Sequence, residues 1–218
     1  MNYDWIKTRA TFDEPKAAVI DPFKGTEWTY QDLNIRAENL ANYLQEQGVQ
    51  RGDVVGIFSP NDVALLDLLF ASFKLGAVYL PINWRLKTQE IESVIADSDV
   101  KLIFYSAKHL SSLEGIADEL IHMDIDSKTY DDIVDPTHHR PFTTVSVEGD
   151  DLASLMYTSG TTGLPKGVMF SYDSFVNNPI TIALTYKVYA SYTTIISTPM
   201  FVVLGCTVLA IPLYLAGG

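Results

Sequence analysis

The 218-residue sequence holds a single cysteine, Cys206. No disulfide framework is available to it, and one thiol suits a reducing compartment. Basic residues are scarce, with 15 Lys+Arg against 27 Asp+Glu and a formal charge of −12. Nucleic-acid binders draw affinity from cationic neutralisation of phosphates, so that class is excluded. Low-complexity composition is missing too: 47% of residues are hydrophobic and 19% charged, against a disordered chain. Met1-Asn-Tyr-Asp-Trp5 has neither a basic start nor a following apolar run, unlike a secretory signal. Together these absences predict a soluble, cytoplasmic, globular protein. Its 24.2 kDa suffice for one good-sized domain or a domain and a half.

Charge is missing from a whole region. After residue 151 the only acid is Asp173 and the only bases are Lys166 and Lys187, and 188–218 is uncharged. A membrane span needs ~20 apolar residues, whereas the run between Pro199 and Pro212 is only 12 long, Met200 to Ile211. A buried core helix is the expectation there, and no transmembrane segment. The apolar run ends at Leu215-Ala-Gly-Gly218 without a polar cap, so the sequence is expected to be cut short. An uncharged tail with half its core missing would be exposed, and self-association through 188–218 follows as an expectation.

What is there reads as alternating strands and helices. Thr29-Tyr-Gln-Asp32 is a capping-box start, followed by Leu33, Ala37, Leu40, Ala41 and Leu44 at helical spacing, with Gly48 as the left-handed terminator. A short buried strand is expected over Asp53–Phe58, then a turn and cap at Pro60-Asn61-Asp62. Val63–Leu75 follows as a helix apolar nearly all round, stopped by Gly76. Further strands are expected at Ala77–Ile82 and Lys101–Tyr105, separated by a helix capped by Thr88 and running to about Asp97. Short connections imply parallel strands with crossover helices, and continuous apolar strands imply cover on both faces. Residues 1–150 are therefore read as an α/β subdomain portion, with a variable connector at about 106–148 containing one or two short strands. Residues 151–218 are read as a loop-bearing segment and the truncated start of a second subdomain. His109, His122, His138 and His139 show no metal-ligand spacing, and Cys206 reads as a small core residue.

The chemistry concentrates between Leu155 and Phe170. An apolar strand runs into Thr158-Ser159-Gly160-Thr161-Thr162-Gly163-Leu164-Pro165-Lys166-Gly167 and out into a second apolar stretch. Glycines let backbone amides approach an anion, hydroxyls add donors, and Lys166 adds a full positive charge. The nucleotide-triphosphatase P-loop does not fit, because Gly-Lys-Ser/Thr is required and Lys166 stands between Pro165 and Gly167. A flexible linker fits poorly between two strand-like runs.

Tyr157-Thr-Ser-Gly-Thr-Thr-Gly-Leu-Pro-Lys-Gly167 resembles the signature loop of the adenylate-forming superfamily, which includes acyl-CoA synthetases. Three further landmarks occur in the right order: Trp28-Thr-Tyr-Gln-Asp-Leu33, Phe73-Lys-Leu-Gly-Ala-Val-Tyr-Leu-Pro-Ile-Asn83, and Pro199-Met-Phe201 leading to Ala216-Gly217-Gly218. The resemblance spans essentially the whole chain. It implies part of the large α/β domain of that fold, parallel-strand sheets covered by helices.

The implied reaction activates a carboxylic acid with ATP, giving an acyl-adenylate and pyrophosphate, and then transfers the acyl group to CoA. By resemblance, Thr158, Ser159, Gly160, Thr161, Thr162 and Gly163 would wrap the β- and γ-phosphates. Lys166 and Thr161 would act on the departing pyrophosphate. Mg²⁺ is implied with ATP, but the family motifs that bind it, and those for adenine and ribose, are not in this sequence. After Pro-Met-Phe the family commonly has a histidine near the acyl-adenylate; here Val202 stands, which suggests an apolar acyl chain and a fatty acid, or simply core packing. The 218 residues alone are expected to have little ligase activity. The alternative is a truncated, non-catalytic remnant that binds nucleotide phosphate or self-associates.

Overall fold

The computed structural model describes residues 3–12, 16–113, 115–116, 120–158 and 165–218. It opens with helix α1 (Trp5–Phe12) and a small antiparallel hairpin, β1 (Ala17–Asp21) and β2 (Thr26–Thr29). Helix α2 (Tyr30–Glu46) starts on the expected capping box: the Thr29 hydroxyl accepts from the Asp32 amide, and the Asp32 carboxylate accepts from the Thr29 amide. Two orphan donors of the first turn are satisfied reciprocally. Gly48, just past the helix, has φ 80°, a conformation that favours a residue without Cβ.

The alternating pattern that follows is β3 (Val54–Phe58), α3 (Val63–Leu75), β4 (Val78–Ile82), α4 (Thr88–Ser98) and β5 (Val100–Tyr105). Asp62 caps α3 through the Ala64 amide, and Gly76 closes it in the left-handed region. Thr88 is the first residue of α4 and not its cap. Lys87 holds the cap position, where its amide donates to Glu90.

Among the described residues of 106–148 one short strand is present, as expected, together with helices that were not expected. These residues form a 3-10 helix over Ala107–Leu113, an edge strand β6 (Ile121–Asp124) parallel to β5, and helix α5 (Lys128–Val134) capped by Ser127. Asp124, Asp126 and Ser127 supply local turn and cap hydrogen bonds, which mean acidity of sequence had obscured.

Strand β7 (Leu152–Thr158) pairs parallel with β4, and β8 (Lys166–Ser171) returns antiparallel along β7. The sheet order is β6-β5-β3-β4-β7-β8, five parallel strands and one antiparallel edge. A two-sided core explains the apolar strands. Val55, Ile57, Tyr79, Leu102 and Phe104 face a layer that includes α2 and α3, whereas Val54, Phe58, Val78, Leu80 and Ile103 face a second layer with Ile91 and Val94 of α4. Alternate residues thus enter opposite cores, both of them closed.

The α2–α3 layer contains buried charge. Arg36 grips Asp67 through Nε and Nη2 at 2.9 and 2.5 Å, and the Tyr130 hydroxyl donates to the same carboxylate at 2.9 Å. Lys74 is fully buried, and its Nζ reaches both Asp4 oxygens at 2.9 Å and Asn34 at 2.8 Å, with Glu38 at 3.7 Å. Burial pushes the Lys74 pKa down, against the opposing pull of Asp4 and Glu38.

Helix α6 (Tyr172–Thr185) follows β8, and the chain reaches helix α7 (Ile211–Ala216) through a π-helical segment, Leu204–Ala210. Pro212 does not end the helical run but sits in the first turn of α7. Proline crowds the carbonyl four residues back, and the wider turn ahead of it, with Ile211 N–H donating to Cys206 O, relieves that crowding.

The uncharged tail is not left bare. Met200, Phe201, Cys206, Ala210, Ile211 and Tyr214 are buried, and Tyr30 Oη donates to Gly218 O at 2.6 Å. Arg9 donates to Leu215 O, and Lys16 to the carbonyls of Ala190 and Gly217. Basic side chains from the first helix and hairpin thus satisfy carbonyls of a segment with no charges of its own. Tyr189, Tyr192, Ile195 and Leu204 remain exposed, a smaller surface than the one on which self-association was expected. Among the described residues no helix is long and apolar enough to cross a membrane.

Candidate functional site

The loop that carries the chemistry leaves the sheet between β7 and β8. Thr158 is the last residue of β7 and Lys166 the first of β8, and they stand opposite each other in register. Both are exposed. The loop is therefore closed at its base by one hydroxyl and one ammonium. Ser159, Gly160, Thr161, Thr162 and Gly163 lie outside the described residues.

Strands β3, β4 and β7 are parallel, so their carboxyl ends share one edge of the sheet. In open α/β sheets ligands bind outside the carboxyl ends of the strands. The Thr158–Lys166 pair is on that edge. Lys166 makes no ion pair with any described residue, so its charge is available to an anion. It is also the only charged residue of the β7–β8 hairpin.

The next rung of the hairpin fixes its shape. Tyr157 pairs with Gly167, and a Cβ built on Gly167 would meet Tyr157 Cζ at 3.0 Å. The ring lies across the glycine, where a Cβ would press against it. From there Tyr157 Oη donates to Asp97 Oδ2 at 2.6 Å, tying the loop base to the end of α4. Burial, then the Asp97 hydrogen bond, holds the phenol well above the ordinary tyrosine pKa, so it stays a neutral donor. Asp97 carried no signal in the sequence beyond its place near a helix end.

Val202, the position where resemblance implied substrate contact, is half-buried just before the π-helical segment. Its carbonyl accepts from the Cys206 amide at 3.1 Å, and its amide donates to Pro199 O at 3.3 Å. Cys206 is buried and free, and burial pushes its thiol up to about 12, the behaviour of an inert core residue. Thr207 bonds back to Val203 O.

No group of three or more His, Cys, Asp or Glu side chains among the described residues is placed to hold a metal, and no acid lies on the β7–β8 hairpin. His109 packs against Phe58 and Trp84, His138 bonds Asp135, and His139 bonds Glu38 at 2.6 Å. The histidines serve packing and loop fixation.

The model of the family described as "AMP-binding enzyme" matches residues 6–218. Among characterised relatives, a long-chain-fatty-acid–CoA ligase, FadD13, of Mycobacterium tuberculosis is 31% identical over 211 residues, covering 94% of this chain and 42% of the relative. A feruloyl-CoA synthase of Amycolatopsis is 31% identical over 194 residues, covering 89% of this chain and 38% of the relative. ATP-bound MatB of Rhodopseudomonas palustris superposes with a TM-score of 0.88 at 28% identity, covering 100% of this chain and 44% of that one. The chain thus spans about two fifths of the length of these two relatives.

Proposed function

The chain belongs to the AMP-binding enzyme family, and from that premise we propose that it carries the phosphate-gripping part of an ATP-dependent acid–thiol ligase. The observation that carries the reading is the Thr158–Lys166 pair, a hydroxyl and an ammonium with no ion pair among the described residues, opposed in register at the carboxyl edge of the sheet. In the proposed reaction a substrate carboxylate oxygen attacks the α-phosphorus of ATP. The bond to the bridging β-oxygen breaks, and pyrophosphate leaves with its electron pair. A CoA thiolate then attacks the acyl carbon and AMP departs. A carboxylate is already ionised near neutrality, so no general base is required in the first step. The protein's tasks are positioning and charge neutralisation.

Lys166 neutralises the charge gathering on the leaving pyrophosphate, Thr158 donates its hydroxyl, and Ser159, Gly160, Thr161, Thr162 and Gly163 wrap the β- and γ-phosphates. Thr161 shares the leaving-group role with Lys166. Mg²⁺ would travel with the ATP phosphates, and among the described residues no side-chain group would hold it by itself. For the same reason the 218 residues by themselves are proposed to bind nucleotide phosphate without sustaining ligation.

The acid is proposed to be a fatty acid. Support comes from the apolar run Val202-Val203-Leu204 and from the relative named as a long-chain-fatty-acid–CoA ligase. An aromatic acid is the second reading, favoured by an equally similar relative named as a feruloyl-CoA synthase. ATP–pyrophosphate exchange by the complete enzyme with a panel of fatty and aromatic acids tests both. Exchange with neither class, together with nucleotide binding, would leave a non-catalytic remnant.

A further inference from the structure

We infer that Asn61 is a positioning residue for the acid-binding wall, acting through the backbone of residues 196–200. The inference rests on the proposed ligase reading and takes Val202, the position where resemblance implies substrate contact, as part of the acid site. Asn61 follows β3 on the carboxyl edge of the sheet, two strands from the β7 end that bears Thr158. Neighbouring strands lie about 4.8 Å apart, so the ends of β3 and β7 are roughly 10 Å from each other along one edge.

From there the Asn61 side chain uses both ends of its amide on one remote segment. Nδ2 donates to Thr198 O at 3.0 Å and Ile196 O at 3.3 Å, and Oδ1 accepts from Met200 N at 2.8 Å. The partners are 135 to 139 residues away in sequence. This segment has no helix or strand of its own, so ladder hydrogen bonds do not fix it. On its other side it meets the π-helical segment: a Cβ on Gly205 would collide with Pro199 O and lie 3.0 Å from Thr198 O. The strap is therefore held between an amide that grips it and a glycine that lets a helix approach it. Pro199 O, inside the grip, accepts from the Val202 amide, which places Val202 relative to the sheet edge.

A side chain that merely fills space and one that works through its amide hydrogens make different predictions. Asn61→Asp keeps the shape and the acceptor for Met200 N, but removes both donors and turns a carboxylate oxygen toward two carbonyls. Asn61→Ala removes all three bonds. In ATP–pyrophosphate exchange by the complete enzyme with its best acid, both variants should raise the acid KM by about tenfold or more, with the ATP KM unchanged within about twofold. Thermal melts of both accompany the kinetics; if the alanine variant loses its cooperative transition, the isosteric aspartate variant carries the test.

A wild-type acid KM in Asn61→Asp overturns the positioning role, as does a parallel rise in both KM values. A wild-type enzyme that exchanges with no acid removes the ligase reading first, and this inference with it. The wild-type arm therefore distinguishes the two failures.

Discussion

Thr158 and Lys166 are cross-strand partners at the mouth of the β7–β8 hairpin, so the base of the loop is fixed by sheet register and not by the loop itself. Directly opposed residues in an antiparallel pair have Cβ atoms about 5 Å apart, a spacing that lets a hydroxyl and an ammonium reach one polyphosphate.

In the complete enzyme proposed above, Lys166→Ala should lower kcat/KM for ATP in pyrophosphate exchange by roughly 100-fold, the scale of one lost transition-state charge contact. The acid KM should stay near wild type. Because Lys166 is exposed and makes no described ion pair, stability should change by no more than about 0.5 kcal/mol. Unchanged ATP kinetics in a folded variant would end the assignment.

Gly167→Ala probes the neighbouring rung. Its methyl would sit 3.0 Å from Tyr157 Cζ, so the ring must give by a few tenths of an ångström, straining its hydrogen bond to Asp97. A cost of about 1–3 kcal/mol is expected in urea unfolding, as for an overpacked site. Tyr157→Phe, which removes only the hydroxyl, should cost about 1 kcal/mol. A Gly167→Ala protein as stable as wild type would mean that the ring has somewhere else to go.

Lys74→Met tests the buried network. It would leave Asp4 and Glu38 without their shared cation in a layer closed to water, and such a loss costs about 3–5 kcal/mol. Combining it with Asp4→Asn and Glu38→Gln should recover a large part of that loss. No recovery in denaturant midpoints would show that Lys74 acts by packing its stem.

Alkaline unfolding tests Tyr3, which donates to Asp173 Oδ1 at 2.6 Å. That hydrogen bond, followed by burial, raises its pKa from 10.0 to about 12. The folded state holds the proton more tightly than the unfolded state does. Its contribution is therefore complete below pH 10 and is lost as pH rises toward about 12. Lys74, whose folded pKa is lowered, has the opposite slope below 10.5. Comparing wild type with Tyr3→Phe cancels that background. The stability difference between them should shrink between neutral and strongly alkaline pH, and a constant difference would rule out the linkage.

Much of the alternating architecture was legible from residues alone because its signals are local. Thr29 with Asp32, Asp62 with Ala64, and Gly48 and Gly76 in left-handed turns act within a few positions of themselves, so the sequence places them directly. In the β6–α5 region a short strand was expected but not located, and the helix escaped, because the strand is four residues long and the helix seven, with turn chemistry made of acids that also read as surface. Val63–Leu75 read as apolar nearly all round, yet two of its charged residues, Asp67 and Lys74, are buried, and nothing nearby in sequence announces Arg36 or Asp4 as their partners.

By itself, the sequence determined the strand–helix alternation, the caps of α2 and α3, and the hydroxyl–glycine–lysine loop that identifies the family, all set by local propensity and chemistry. Only the tertiary structure decided that Thr158 faces Lys166, that β8 runs antiparallel, that Tyr157 lies over Gly167 toward Asp97, and that Asn61 grips the backbone at 196–200. Each of those is a contact between segments whose proximity depends on sheet order and register, and a one-residue slip of register would send the same side chains to the opposite face.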